Sequence, residues 1–187
     1  MNKFLIAFAL SVILLLPTIS EASSVNLMDG ASVSVIGNYH GSTSYITDGL
    51  AKTGTQWSHQ SVWWSGSDPY ILIKLDGTKQ IGSIGVQADS DDSYLVEYWN
   101  SDSKKWQTAY TVGSTKSSEN NWLMGLDLRE SPDLNITTDK IRISAISGDE
   151  NHSISEVQLH AHTPIPFTFL LFGSGLGLLA FFKRRFC

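Results

Sequence analysis

The stretch that decides the fold is Lys140-Ile141-Arg142-Ile143-Ser144-Ala145. Hydrophobic and polar side chains alternate along it, and successive side chains of a β-strand point to opposite faces of a sheet. The pattern therefore predicts a half-buried strand, with the two isoleucines and the alanine directed into a core. The stretch Tyr94–Trp99 divides its side chains between two faces in the same way.

Outward from this stretch, no segment between Ser23 and His162 shows sustained helical periodicity. Turn signals such as Asp76-Gly77 and Gly148-Asp149 separate short runs of strand-forming residues. The predicted strands are Ser32–Ile36, Tyr70–Leu75, Ile81–Gln87, Tyr94–Trp99, Trp106–Val112, Trp122–Leu128, Lys140–Ile146 and Ile154–His160. The sequence thus predicts one all-β domain, residues 23–163, folded as a sandwich of about eight strands.

Composition excludes several classes of protein. The chain has 187 residues, of which 42% are apolar, so it is not a disordered polymer. Its single cysteine, Cys187, excludes a disulfide framework and a cysteine-rich zinc site. Between the two ends lie nine basic and seventeen acidic residues. A nucleic-acid-binding domain carries a basic face, so nucleic acid is not an expected partner.

The N-terminal segment has the layout of a secretory signal peptide. Lys3 precedes an apolar run from Phe4 to Leu16, and Ser20-Glu21-Ala22 supplies the small residues of a cleavage site. Residues 1–22 are therefore predicted to direct export and to be removed after Ala22. A retained membrane helix is the alternative, although the run is short for a span of about 20 residues.

The C-terminal segment, residues 164–187, has the layout of a membrane anchor. Sixteen uncharged residues from Phe167 to Phe182 precede Lys183-Arg184-Arg185. Basic residues that follow a span remain on the cytoplasmic side, so the domain between the two ends is expected outside the cytoplasm. The tail also resembles a sorting signal of Gram-negative bacteria, and that resemblance implies the inner membrane as its location, with processing to the cell surface or extracellular matrix as an extension.

This tail resembles the PEP-CTERM sorting signal, which combines a short proline motif, an apolar helix and a basic cluster. The proline motif here is Pro164-Ile165-Pro166, with isoleucine where that family has glutamate. The resemblance implies an exosortase-type sorting enzyme as a partner, with Pro164 and Pro166 in the sorting motif, and an association with extracellular polysaccharide and biofilm. A plain single-pass anchor is the alternative.

A second resemblance covers roughly residues 30–161. Its pieces are Thr47-Asp48-Gly49, Thr55-x-Trp57, the strand series from Pro69 to Ile143, and Ser155-Glu156-Val157. In this order they resemble the discoidin family, also called the coagulation factor five/eight type C domain. The resemblance implies a galactose-binding-like jelly roll.

The discoidin resemblance also implies a structural calcium ion. Its ligands would be Asp48, Thr55 and Glu156, together with carbonyl oxygens around Leu50–Thr53. Calcium takes six to eight oxygen ligands, which carboxylates and carbonyls supply. The alternative is that Asp48 caps its own turn while Glu156 faces solvent. A calcium-binding EF-hand at Asp89–Tyr94 is excluded, because Tyr94 stands where that loop requires glycine. This stretch is interpreted as a solvated acidic turn.

The loop from Ser58 to Ser67 is the most informative for ligand binding. Adjacent tryptophans on a strand would face opposite sides, so at least one is hard to bury. Exposed aromatic rings beside polar groups suit a sugar, whose C–H faces pack on the ring. Related sugar-binding modules use such loops at one end of the barrel. Trp57, Trp99 and Trp106 are assigned to packing, whereas the candidate ligand-binding residues are Tyr39, His40, Trp63, Trp64, Asn121 and Trp122.

Catalysis finds little support in the sequence. The five histidines show no zinc-ligand spacing apart from His160-x-His162, and there is no phosphate-binding loop or nucleophile elbow. The predicted function is a non-catalytic module that binds a glycan or extracellular polysaccharide. The alternatives are a structural matrix or adhesion protein that contacts other proteins without a sugar pocket, and, more weakly, a glycoside-cleaving enzyme.

Overall fold

Eight strands build the domain. The computed structural model of the protein describes residues 26–51, 56–115 and 125–162. The strands are β1 (Ser32–Ile36), β2 (Val62–Ser65), β3 (Tyr70–Asp89), β4 (Ser93–Asn100), β5 (Lys105–Val112), β6 (Leu126–Glu130), β7 (Ile136–Ser147) and β8 (Asn151–Ala161). One short 3-10 helix (Thr43–Thr47) lies between β1 and β2.

The eight strands of the described residues join one curled sheet, and the pairings between them are antiparallel. The main order is β2-β8-β3-β7-β4-β5, with β1 and β6 each paired to β3. The first part of β3 pairs with β1 and β7, whereas its last part pairs with β6 and β8. Because β3 belongs to both groups of strands, the sheet folds over into two facing layers.

The core lies between these layers and follows strand alternation. In one layer Ile73 pairs with Ile141 and Ile71 pairs with Ile143, and all four side chains are buried. The other layer contributes buried side chains at alternate positions of β3 and from β8, among them Ile84, Val86, Val157 and Leu159. The inward direction predicted for Ile141 and Ile143 of β7 is confirmed.

The structure corrects the two strands predicted at Tyr70–Leu75 and Ile81–Gln87, which form one strand. The ladder between β3 and β7 advances from Lys74 to Lys79 on one strand but only from Lys140 to Thr138 on the other. The Asp76-Gly77 turn signal lies in this irregularity, where Gly77 has φ +80°. The extra residues form a bulge rather than a chain reversal, so β3 continues to pair with β7.

Strand β2 lies inside the segment that the sequence analysis treats as a loop. Its four residues are too few for a periodic signal, and its pairing with β8 defines it. The predicted signal peptide, the anchor, the sorting residues Pro164 and Pro166, and the start of the predicted Trp122–Leu128 strand lie outside the described residues. Across the three described ranges, no helix has the length and apolar character to cross a membrane.

We expect Ile143→Ala to lower the free energy of unfolding by about 2–5 kcal/mol, because it leaves a cavity between the layers. Ile146→Ala is the matched control, since Ile146 lies on the same strand but is 52% exposed. That control should cost well under 1 kcal/mol. Urea unfolding of both variants measures the difference, and equal losses would contradict the assignment of the core.

Candidate functional site

Aromatic rings from two segments of the chain meet beside the edge strand β2. The imidazole of His40 stacks on the indole of Trp63, with ring centroids 4.1 Å apart and planes 21° apart. Trp57 meets the same indole edge to face at 5.3 Å. His40 is exposed, Trp63 and Trp57 are half-buried, and the neighbouring Tyr39 is 40% exposed. We call these four residues the aromatic site.

Backbone contacts hold the aromatic site together. The N–H of His40 donates to the carbonyl of Trp63 at 2.8 Å, and the N–H of Trp63 donates to the carbonyl of His40 at 3.1 Å. Gly41 follows with φ +87°, and a Cβ there would lie 2.0 Å from the carbonyl oxygen of Ser61. Glycine is therefore required for the close approach of these two segments.

The structure corrects the assignment of Trp64 as a ligand-binding residue. Its side chain has no exposed surface and packs against Tyr94 at 6.3 Å and His152 at 6.1 Å between ring centroids. Since neighbouring residues on a strand face opposite sides, β2 turns Trp63 outward and Trp64 into the core. The sequence predicts the opposite directions but not which tryptophan is outside. Asn121 and Trp122 lie outside the described residues.

A buried polar network lies beside Trp64, and no pattern in the sequence indicates it. The Asp92 Oδ2 atom lies 2.9 Å from His152 Nδ1 and accepts a hydrogen bond from the Tyr94 hydroxyl at 2.9 Å. That hydroxyl also accepts from the N–H of Ser153 at 3.0 Å. Burial, and then the Asp92 charge, raise the pKa of Tyr94, which keeps its hydroxyl neutral. Sixty positions separate Asp92 from His152, so no local motif signals their contact.

The interpretation of Asp89–Tyr94 as a solvated turn is wrong for Asp89, Ser90 and Asp92, which are buried. The Arg129 guanidinium donates hydrogen bonds to two backbone carbonyls of this turn, those of Asp89 at 2.7 Å and Asp92 at 3.1 Å. Burial, followed by the hydrogen bond and charge of Asp91, raises the pKa of Asp89 to about 8. Strand β6, which carries Arg129, pairs with the end of β3 that leads into this acidic segment.

The two carboxylates assigned to calcium do meet. Glu156 is fully buried on β8, and its Oε2 atom accepts a hydrogen bond from the N–H of Gly49 at 3.3 Å. Burial, and then the charge of Asp48, raise the pKa of Glu156 to about 7. Asp48 is exposed and also caps its own turn, because its Oδ1 atom accepts from the N–H of Leu50 at 2.9 Å. Thr55 lies outside the described residues.

The chemistry at this pair fits a hard cation. The Oε1 atom of Glu156 is buried and has no hydrogen-bond partner, so no hydrogen bond offsets the cost of removing this oxygen from water. A cavity of about 420 Å³ opens beside Asp48 and is also lined by Asp29. Within the described parts of the chain, no three His, Cys, Asp or Glu side chains form a metal-binding group. A calcium ion here would therefore need additional oxygen ligands from hydroxyl or carbonyl groups.

Comparison of the whole fold finds family 32 carbohydrate-binding modules. The module of Streptococcus pneumoniae EndoD is 14% identical, with a TM-score of 0.54, and is matched over 74% of this chain and 100% of its own. The module of Clostridium perfringens NanJ, solved with galactose, is 15% identical, with a TM-score of 0.51 over 73% of this chain and 97% of its own. These likenesses establish the discoidin-like sandwich.

Two structures of AlyQ are also similar. Its carbohydrate-binding module, solved with 4,5-unsaturated mannuronic acid, is 16% identical, with a TM-score of 0.51 over 70% of this chain and 95% of its own. A truncated form that adds an alginate lyase domain has a TM-score of 0.53, is also 16% identical, and is matched over 76% of this chain but 34% of its own length. No protein-family model and no curated protein sequence matches the chain.

We expect Asp89→Asn to remove part of the pH dependence of stability. The unfolded chain releases this proton near pH 3.8, whereas the folded protein keeps it until about pH 8. Rising pH across that window therefore favours the unfolded state of the wild type, and asparagine lacks this effect. Urea unfolding at pH 5 and pH 8 should show a smaller loss of stability in the variant. Asp133→Asn, at an exposed position, is the control. An unchanged pH dependence in Asp89→Asn would contradict the prediction.

Proposed function

We propose that the protein is a non-catalytic module that binds a glycan through the aromatic site. The observation that carries the proposal is the stacked pair of His40 and Trp63, which reaches the surface beside the exposed Tyr39. Aromatic rings that are in contact with solvent and lie next to ring nitrogens suit a sugar, which has both apolar C–H groups and polar hydroxyls. The C–H face packs on a ring, while the hydroxyls exchange hydrogen bonds with the polar groups.

The geometry of the aromatic site supports this role in a second way. Its rings are held by reciprocal backbone hydrogen bonds and by the close approach at Gly41, so little ordering remains for the ligand to impose. A preorganised surface loses less conformational entropy on binding than a loop that must first become ordered. The likeness of the fold to carbohydrate-binding modules agrees with the proposal.

We expect Trp63→Ala to weaken glycan binding by tenfold or more, because loss of an aromatic contact of about 1.5 kcal/mol corresponds to a factor of about ten. Binding of the full-length protein to an array of neutral polysaccharides identifies a ligand, and calorimetry then compares the variant with the wild type.

Trp63→Phe is the matched control, since it keeps an aromatic face at the same position. It should retain most of the affinity that Trp63→Ala loses. If a folded Trp63→Ala protein binds every identified glycan like the wild type, the aromatic site is not the binding site.

We propose further that Asp48 and Glu156 hold a calcium ion with a structural role. The ion would neutralise the two carboxylates and supply the missing partner of Glu156 Oε1, which is the observation that supports it. Thr55 and carbonyl oxygens around Leu50–Thr53 are proposed as the remaining ligands. Such an ion would fix the segment after the 3-10 helix against β8.

We expect calcium to raise the melting temperature of the wild type, because a ligand at 100 times its dissociation constant adds about 2.7 kcal/mol of stability. Glu156→Gln should abolish this increment. Asp29→Asn is the matched control, since Asp29 lines the same cavity but is not a proposed ligand. Thermal melts with calcium and with a chelator provide the test, and equal melting temperatures of the wild type would contradict a calcium site.

A second candidate function is a structural or adhesion role through protein contacts. One observation favours it: Ile36 and Ile146 are 44% and 52% exposed on the outer side of the sheet. Single exposed apolar side chains are common, but a shared face of them is typical of protein interfaces. Failure of the folded protein to bind any glycan would favour this role.

We also propose, from the sequence of the two ends, that the module acts outside the cytoplasm. The N-terminal signal peptide would direct export, and the C-terminal tail would hold the domain at the membrane or present it to a sorting enzyme. The polysaccharide matrix around the cell is then the nearest source of a glycan ligand.

A further inference from the structure

The outer side of β3, β7, β4 and β5 carries a second group of aromatic and charged residues. Trp99 on β4 and Trp106 on β5 are register partners, and their rings meet edge to face at 5.6 Å. Both are half-buried, so part of each ring meets solvent. Trp99 and Trp106 make their ring contacts with each other, Lys140 and Arg142 rather than with His40, Trp57 or Trp63, so they form a separate group from the aromatic site.

Cationic side chains accompany both tryptophans. The Arg142 guanidinium carbon lies 4.7 Å from the centroid of the Trp106 ring, and Lys140 Nζ lies 5.6 Å from that of Trp99. Lys74 is exposed and is the register partner of Lys140 on the neighbouring strand. We call these five residues the basic aromatic face.

The basic aromatic face departs from the charge of the rest of the domain. The described residues include sixteen acidic but only seven basic side chains. Six of those seven lie on β3, β7 and the β4–β5 hairpin: Lys74, Lys79, Lys104, Lys105, Lys140 and Arg142. Cations are therefore concentrated on these strands in a domain that is otherwise acidic, and three of them, Lys74, Lys140 and Arg142, belong to the basic aromatic face.

Folding alone does not explain this concentration. Lys74 on β3 and Lys140 on the neighbouring strand β7 are directly opposite each other, and like charges in that position destabilise a sheet. Nearby carboxylates compensate only in part. Glu97 forms a bidentate ion pair with Arg142, and Asp139 Oδ2 lies 3.5 Å from Lys140 Nζ. Lys74 has no ion pair within the described residues, so a bound anion would relieve the repulsion between the two lysines.

We propose that the basic aromatic face binds an acidic polysaccharide, a chain whose sugars carry carboxylates. Indole rings pack against the C–H faces of sugars, while lysine and arginine attract carboxylates. Glu97 holds the Arg142 side chain along Trp106, so the cation and the ring are presented together. Nucleic acid is the less suitable polyanion, because its binding relies on many phosphate contacts and the basic aromatic face offers three cations. This site is independent of the aromatic site at His40 and Trp63.

The test measures binding of the full-length protein to a short oligogalacturonate, in which every sugar carries a carboxylate. A neutral maltooligosaccharide of equal length is the comparison. We expect the wild type to bind the acidic chain, with an affinity that falls as salt is raised, and to bind the neutral chain at least about tenfold more weakly. Lys74→Gln/Lys140→Gln should weaken binding of the acidic chain about fivefold to tenfold, as expected for two ion pairs.

Lys79→Gln/Lys105→Gln is the matched control, because it removes the same charge from positions outside the basic aromatic face. It should leave the affinity within about twofold of the wild type. Trp106→Ala should also weaken binding, with a melting curve to show that the protein is folded. A loss of acidic-chain binding in Trp63→Ala equal to that in Trp106→Ala would assign this binding to the aromatic site and overturn the proposal.

Three further outcomes would overturn the proposal. The first is an unchanged affinity in the Lys74→Gln/Lys140→Gln variant. The second is an equal loss in the control pair, which would indicate a diffuse effect of net charge. The third is equal or tighter binding of a single-stranded oligonucleotide of matched charge, which would make the face a general polyanion surface.

Discussion

The pairing of β3 with four other strands is the constraint on which the rest of the structure depends. Tyr70–Leu75 pairs with β1 and β7 in one layer, and the second half of β3 pairs with β6 and β8. The bulge near Asp76-Gly77 allows a single strand to serve both layers. These pairings position the candidate sites: β8 carries Glu156 and pairs with β2, β6 carries Arg129, and β3 and β7 carry the cations of the basic aromatic face.

Strand alternation then divides the aromatic residues between stability and recognition. Trp64 is buried and packs beside the Asp92–His152 pair, whereas its neighbour Trp63 stacks with His40 at the surface. The same rule turns Trp99 and Trp106 to the outer side of the sheet. A surface aromatic group on a rigid strand is held in place before a ligand arrives, which suits the recognition of sugars.

Asp89 and Glu156 are both buried carboxyl groups with a raised pKa, and their surroundings differ. At Asp89, burial raises the pKa, and the carboxyl group is kept neutral while Arg129 donates to the surrounding carbonyls. At Glu156 one oxygen remains without a partner next to a second carboxylate. Asp89 Oδ1 and Asp92 Oδ1 are also buried without a hydrogen-bond partner. The Arg129 guanidinium already lies against the Asp89 turn, whereas Glu156 faces a second carboxylate, Asp48, so calcium is proposed for the Glu156 site.

The sequence by itself determined the fold class and most of the strands. Periodic runs of five or more residues, such as Ser32–Ile36 and Lys140–Ile146, contain their own evidence for a sheet, because alternation is a local property. The order of the short discoidin-like pieces correctly predicted the sandwich, and it placed Asp48 near Glu156. The sequence and the discoidin resemblance predicted Tyr39, His40, Trp63, Trp64, Asn121 and Trp122 as ligand-binding residues, and the structure brings His40 and Trp63 of this group into contact.

Only the tertiary structure decided which side each residue faces and which distant residues meet. The short strand β2 exists because it pairs with β8, and this pairing sends Trp64 inward. The acidic turn at Asp89 is buried, with contacts from Arg129 on β6 and His152 on β8, although its composition is that of an exposed loop. Burial and charge pairing depend on contacts between residues far apart in the chain, and a local pattern carries no information about such contacts.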